Sequence, residues 1–194
     1  MLKCLFHKEK YIFKNNKMTQ QIILGIGSNI GNRILHIKKA ILLIKEQNIL
    51  NNISLSKTYE SKALLKKNAP EIWDKNFINL AISGFTDCSP KELLINIKNI
   101  EKKLGRINRG TWSPREIDID ILIYGDLIIN LPELTIPHKY LLERDFAFLP
   151  AHDLYPNWQY PIKGNLYKQN LSEIIACKKI NSYNCRKSSK QINI

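Results

Sequence analysis

The sequence predicts an α+β fold, one antiparallel sheet with two helices on one face. Three observations carry this. Four short runs, 21–27, 53–61, 76–85 and 116–124, are rich in isoleucine and other strand formers. One segment, 33–47, repeats apolar residues at helical spacing, and a second, 90–104, carries helix start and stop signals. Their order is β-α-β-β-α-β, the split βαβ or ferredoxin-like arrangement, which leaves the other sheet face free for a site.

The first strand is the apolar run QIILGIG, closed by a turn at 28–32. Ile34, Ile37, Ile41 and Ile44 then mark one helix face. Segment 53–61 alternates as a single strand, and 62–75 is a polar loop, long for a compact domain and therefore of functional interest. After the strand 76–85, Ser89, Pro90 and Glu92 form an N-cap, a first-turn proline and a capping box, and the helix stops at Gly105. A basic loop, 106–114, leads into the strand 116–124. Turns at 125–126 and 131–132 predict a hairpin, and 137–149 starts as a loop and becomes a helix with Pro150 near its end. The last fifty residues are weakly patterned until a short helix near 171–178, so the fold ends in a hairpin and helix extension.

The 194 residues favour one domain, expected over 21–176, with a basic N-terminal extension at 1–20 and a basic C-terminal tail at 177–194. The net charge of +13 falls largely in those ends, +4 in 1–20 and +5 in 177–194. It therefore reads as Lys/Asn-rich solvated tails rather than a nucleic-acid surface. No run reaches the roughly 18 apolar residues of a membrane helix, and 1–17 lacks a signal-peptide pattern, Met18 standing where the compact part starts. Cys4, Cys88, Cys177 and Cys185 are scattered, which fits a reducing, cytoplasmic setting with neither zinc site nor disulfide framework.

The chemistry concentrates in 115–124. Strand alternation places Ile117, Ile119, Ile121 and Ile123 on one face and Asp118, Asp120, Leu122 and Tyr124 on the other. Two neighbouring carboxylates on a buried strand repel each other and are costly to desolvate. A divalent cation resolves both problems, and hard oxygen donors suit Mg²⁺ shared with phosphates. Arg106, Arg109 and Arg115 surround Trp112 and are suited to clamping phosphate oxygens; the bland reading is that they neutralise the aspartates. His138 and Arg144 form a second cationic cluster, and Glu101 can accept from a ribose hydroxyl. Tyr59, Phe77, Trp112 and Phe146 are either core or walls for a flat heterocycle, with Asn79 beside Phe77 able to read a ring edge. The glycines of 25–31 follow a strand, but their spacing misses the dinucleotide fingerprint, so they read as a tight turn.

These residues resemble a known family, the 6-hydroxymethyl-7,8-dihydropterin pyrophosphokinases of folate biosynthesis. The likeness runs from about 22 to 154. It rests on Gly25-x-Gly27-Ser28-Asn29-x-Gly31, on Phe77-x-Asn79, and on Glu101-x-x-Leu104-Gly105-Arg106. A last stretch runs from Trp112 and Arg115 through Asp118 and Asp120 to Pro137-His138, Arg144 and Phe146. The resemblance implies transfer of pyrophosphate from ATP to the hydroxymethyl group of a reduced pterin, releasing AMP. It implies that Asp118 and Asp120 hold two Mg²⁺ ions, with Asp120 also placed to take the hydroxyl proton. Arg106 and Arg115 would clamp phosphates, and Glu101, Ile121, Thr135, His138 and Arg144 would line the ATP site. Ser61, Leu64, Phe77, Asn79, Trp112 and Phe146 would form the pterin pocket. The pattern departs at Lys62, Asn108 and Ser113, in loops. Docking onto another folate-pathway enzyme is a further expectation. The rival reading is an RNA-recognition module of the same topology, which needs an aromatic-rich third strand; this chain has one aromatic there and carboxylates on the fourth.

Overall fold

A computed structural model of the chain describes residues 19–110, 112–178 and 185–193. Most of the expected N-terminal extension, 1–18, lies outside them. The elements are β1 (Gln20–Ser28), α1 (Arg33–Glu46), β2 (Asn51–Leu55), β3 (Tyr59–Ser61), a 3₁₀ turn (Glu71–Trp73), β4 (Phe77–Thr86), α2 (Pro90–Lys103) and β5 (Asp118–Tyr124). They continue as β6 (Ile129–Asn130), β7 (Thr135–Ile136), α3 (Asp145–Leu154), α4 (Leu171–Cys177) and β8 (Cys185–Lys187). The result is a mixed α/β structure around a six-stranded sheet ordered β5-β1-β4-β3-β8, with β2 also on β4 and every pairing antiparallel. β6 and β7 form the expected hairpin as a separate two-stranded sheet.

Local chemistry sets the helix ends. The Asn32 side chain accepts from Leu35 N at the start of α1. Ser89 and Glu92 close a capping box at the start of α2 behind Pro90, and Gly105 follows that helix with φ +84, a conformation that favours glycine. Both helices lay isoleucines and leucines (Ile37, Ile41, Ile44, Leu93, Ile97, Ile100) onto Ile22, Leu24, Ile26, Leu80, Ile82 and Ile119 of the sheet.

Three expectations need correction. Segment 53–61 is two strands, because the Ser56 hydroxyl accepts from Ala81 N and interrupts the ladder before β3 begins. Strict alternation in β5 fails at Leu122: Ile23 pairs with Ile123 and Leu24 with Ile121, so Leu122 is the extra residue of a bulge. Beyond it Ile123 joins Leu122 on the second face, and Tyr124 turns to the helix-side core. α1 and α2 share one face as expected, but the other face is not wholly free: α3 and α4 cover part of it, where Ile23, Ala81, Leu122 and Ile123 are apolar and pack against Phe148, Ala151, Trp158 and Ile174. Pro150 lies inside α3, four residues before its end at Leu154, and is buried with Ala147, Phe148 and Ala151.

The segment read as a basic C-terminal tail is, over 185–193, part of the fold: β8 pairs with β3, and Ile192 is only 6 % exposed in the helix-side core. Among the described residues no helix is long and apolar enough to cross a membrane. Cys88, Cys177 and Cys185 are free thiols. Burial, with Asp145 adding, pushes the Cys185 thiol up to about 12, while Cys177 is exposed. Alkylation at pH 8 in native buffer, read by peptide mass, is therefore expected to modify Cys177 within minutes and leave Cys185 unmodified.

Candidate active site

The uncovered part of the second face is a trough built by what the central strand lacks. Gly25 of β1 lies between Asp120 and Ala81, and Gly27 between Asp118 and Asn79. A Cβ on Gly27 would stand 2.8 Å from Asn79 Oδ1, and one on Gly25 3.1 Å from Leu122 Cδ1. These glycines sit in extended strand, so the tight-turn reading is corrected: their role is close approach, and Gly31 alone of the three takes a positive φ, +67.

Asp118 and Asp120 stand together on one wall, as alternation before the bulge requires. Their environments differ. Arg106 Nη1 lies 2.8 Å from Asp118 Oδ1, and Arg115 bonds Asp118 Oδ2. Burial would raise the Asp118 carboxyl, but the two guanidiniums outweigh it and hold it below the usual carboxylate range. Asp120 has no hydrogen bond or ion pair within the described residues, and burial together with the Asp118 charge pushes its carboxyl up. A crowded, half-compensated pair of hard oxygen donors fits a divalent cation of the Mg²⁺ type. Among the described residues no cluster of three His, Cys, Asp or Glu is present, so further ligands would come from water and phosphate, as Mg²⁺ sites usually use.

Arg106 and Arg115 also line a second groove beside the trough, with Lys98, Glu101 and Lys102. Glu101, 2 % exposed, is its keystone: Oε1 accepts from Ile119 N at 2.6 Å and meets Arg106 at 2.5 Å and Lys98 at 3.0 Å. Burial pushes its carboxyl up, against the pull of Lys98 and Arg106. Arg109 does not join this cationic set, because Glu116 takes it through two hydrogen bonds of 2.5 and 3.1 Å. The bland reading, that the arginines neutralise the aspartates, does not apply to Arg109, which pairs with Glu116 instead. It holds in part for Arg106 and Arg115, which both pair with Asp118.

The same trough is lined by His138, Arg144 and Phe146. The Arg144 guanidinium lies 4.1 Å from the Tyr140 ring centroid and 5.8 Å from that of Phe146, which fixes its plane. Burial lowers the His138 pKa, with Arg144 adding and Asp120 opposing. Its Nδ1 accepts from Tyr140 N, so the neutral ring carries its proton on Nε2. At the other end of the trough Asn79 Nδ2 donates to Ser61 Oγ at 2.9 Å, leaving its carbonyl oxygen and one N–H free for a ligand edge. Phe77, Leu64 and Trp112 complete that end, Trp112 being 42 % exposed on a loop with φ +67.

Eleven of the expected site residues therefore meet in one trough, and Glu101 and Arg106 in the groove beside it. Ile121 and Thr135 line neither: Ile121 faces the helix-side core, and Thr135 lies in the small hairpin sheet. Tyr59 is a structural residue whose hydroxyl donates to Asp153. Sequence reasoning missed Lys98, which its spacing of three from Glu101 on a helix signals. It also missed Asn29, 3 % exposed, whose side chain donates to Lys75 O at 3.1 Å and accepts from Arg115 N at 2.7 Å, tying together the loops on both sides of the trough.

Comparison with known proteins bears on the same residues. A family model described as 7,8-dihydro-6-hydroxymethylpterin-pyrophosphokinase (HPPK) matches residues 23–156. The chain is 42 % identical over 152 residues to a 2-amino-4-hydroxy-6-hydroxymethyldihydropteridine pyrophosphokinase of Aquifex aeolicus, covering 78 % of this chain and 88 % of that one. It is also 42 % identical over 149 residues to a folate synthesis bifunctional protein of Chlamydia caviae, covering 76 % of this chain but 33 % of the longer protein. In fold it resembles wild-type HPPK-DHPS of Plasmodium falciparum, with a TM-score of 0.62 at 17 % identity, covering 88 % of this chain and 45 % of that one. With the family match spanning both the glycine floor and the aspartate wall, the chain belongs to the 7,8-dihydro-6-hydroxymethylpterin-pyrophosphokinase family.

Proposed function

We infer that the protein transfers the pyrophosphoryl group of ATP to the hydroxymethyl oxygen of 6-hydroxymethyl-7,8-dihydropterin, a diphosphotransferase step of folate biosynthesis. The pterin oxygen bonds to the β-phosphorus, the bond from that phosphorus to the α-phosphate oxygen breaks, AMP leaves, and the hydroxyl proton is released. The observation that carries the reading is the Asp118–Asp120 wall, set between a cationic groove and an amide-lined slot.

Each residue has a part in this reading. Asp118 and Asp120 would hold Mg²⁺, two ions, which when bound neutralise phosphate charge and acidify the hydroxyl. Arg106 and Arg115 spread positive charge along the groove and would stabilise the departing AMP. Glu101 aligns Arg106 and can accept from the nucleotide; His138 Nε2–H and Arg144 supply further donors in the trough. Asp120, which has no hydrogen bond or ion pair among the described residues and stands beside Asp118 in the trough, is the group suited to receive the proton. Asn79 and Ser61 would read the edge of the pterin, and Phe146 with Trp112 would hold its faces, excluding water. Strand order β5-β1-β4-β3 with α1 and α2 on one face supports the ferredoxin-like reading over 21–176, with α3, α4 and β8 as additions. The fused relatives support contact with another folate-pathway enzyme, and free thiols support a reducing, cytoplasmic setting.

Product analysis tests this directly. With ATP, the dihydropterin and Mg²⁺, AMP is expected to form one for one with pterin diphosphate. Formation of ADP with a pterin monophosphate would overturn it.

A further inference from the structure

The C-terminal segment 185–192 lies outside the family match at 23–156, yet it pairs with β3, whose Ser61 lines the trough. β3 is three residues long; its inner edge pairs with β4, and β8 takes its outer edge with Ser61 opposite Cys185 and Tyr59 opposite Lys187. Just past β8, Ser188 N donates to Thr58 O at 2.8 Å, and Thr58 N donates to Gln191 Oε1 at 3.0 Å. Both backbone polar groups of the residue leading into β3 are thus held by the C-terminal segment. The segment is anchored on both sides of the sheet edge, by Cys185, 4 % exposed, and by Ile192 in the helix-side core. A side-chain chain adds to it: Arg186 meets Glu60 at 3.3 Å, Glu60 meets Arg33 at 3.3 Å, and Arg33 donates to Asn76 O at 2.7 Å, next to Phe77. The Arg186 contact is exposed and contributes little by itself.

We propose that segment 185–192 is a positioning element for the pterin end of the site. It fixes β3, and so holds the Ser61 hydroxyl where it orients the Asn79 amide, without touching substrate. The inference rests on the assignment of Ser61 and Asn79 to the pterin. A short strand bonded on one edge only frays more readily than one bonded on both. Were β3 to move outward, Ser61 would leave Asn79 and the amide would lose its fixed orientation. The nucleotide groups are insulated from this, because Asp118 and Asp120 stand on β5, with β1 and β4 between it and β3. The effect is therefore expected to be selective.

The test uses the full chain with Ser188→Pro, which removes one donor, and Gln191→Leu, which removes the acceptor at an exposed position, singly and combined. Calorimetry gives the Kd of a pterin analogue and of a non-hydrolysable ATP with Mg²⁺, and steady-state assays separate KM from kcat. The combined variant is expected to raise the pterin Kd and KM about tenfold, with the ATP-analogue Kd and kcat at saturating pterin within about twofold of wild type. Cooperative melting confirms the fold, and if the combined variant does not melt cooperatively, Gln191→Leu alone decides by the same comparison. Unchanged pterin affinity, or equal weakening of both ligands, overturns the proposal. Failure of the wild-type chain to bind the pterin analogue would instead remove the site reading on which it rests.

Discussion

Asp120→Asn is expected to stop AMP release while leaving the protein as stable as wild type or more so. The turnover number should fall about 10³-fold or more, the scale seen when a preorganised charge at a reacting centre is removed. Stability should move the other way. Asp120 has no hydrogen bond or ion pair among the described residues and faces the Asp118 charge, so neutralising it in magnesium-free buffer removes a repulsion and is expected to add about 1 kcal/mol, or roughly 2–4 °C in Tm for a chain of this size. Asp118→Asn provides the contrast. It leaves Arg106 and Arg115 half-buried without their shared carboxylate, and it is expected to cost about 1–3 kcal/mol as well as activity. Opposite signs of the two Tm shifts, read by calorimetry, separate a carboxylate kept for binding from one that also holds the fold. Equal losses of stability in both variants would show that Asp120 is a structural residue.

Gly27→Ala should be the most damaging single methyl group in the site. Its Cβ arrives 2.8 Å from Asn79 Oδ1 and 3.4 Å from Phe77 Cδ1, so the amide must swing away from Ser61. The KM for the pterin is expected to rise about 10²-fold, because a site built to hydrogen-bond a ring edge is penalised when its polar groups are misplaced. Overpacking is expected to cost about 1–3 kcal/mol of stability. The nucleotide Kd should stay near wild type. Gly25→Ala meets the Leu122 side chain, no nearer than 3.1 Å, and no polar group of the site, so it should be milder on both counts. Pterin KM values for the two variants, measured side by side, check the ordering.

Much of this was legible in the chain, for local reasons. Ser89, Pro90 and Glu92 announce the start of α2 because capping chemistry acts within four residues. The aspartate wall follows from strand alternation, which holds as far as Ile121. What alternation cannot see is the bulge at Leu122, a property of the β1–β5 pairing rather than of either strand. The same holds for the break before β3, set by a Ser56 bond to β4, and for β8, whose three residues carry no strand signal and are recruited by a bare edge more than a hundred residues away in sequence. The roles of Asn29 and the glycine floor were not legible, although both stand in a recognisable motif, because those roles exist only once three strands and two loops are brought together. The Arg109–Glu116 pair could have been anticipated from charge, but the choice between Glu116 and the aspartates is made by loop geometry.

The central claim is that the Asp118–Asp120 pair recruits Mg²⁺ to bind the nucleotide and so completes the pterin site. Calorimetric titration of the full chain with a non-hydrolysable ATP and then with a pterin analogue, with and without Mg²⁺, tests it most directly. Nucleotide binding that requires Mg²⁺, pterin binding that tightens once nucleotide is bound, and loss of both effects in Asp120→Asn are the predicted results. Nucleotide affinity that is the same with and without Mg²⁺, in wild type and variant alike, would contradict it.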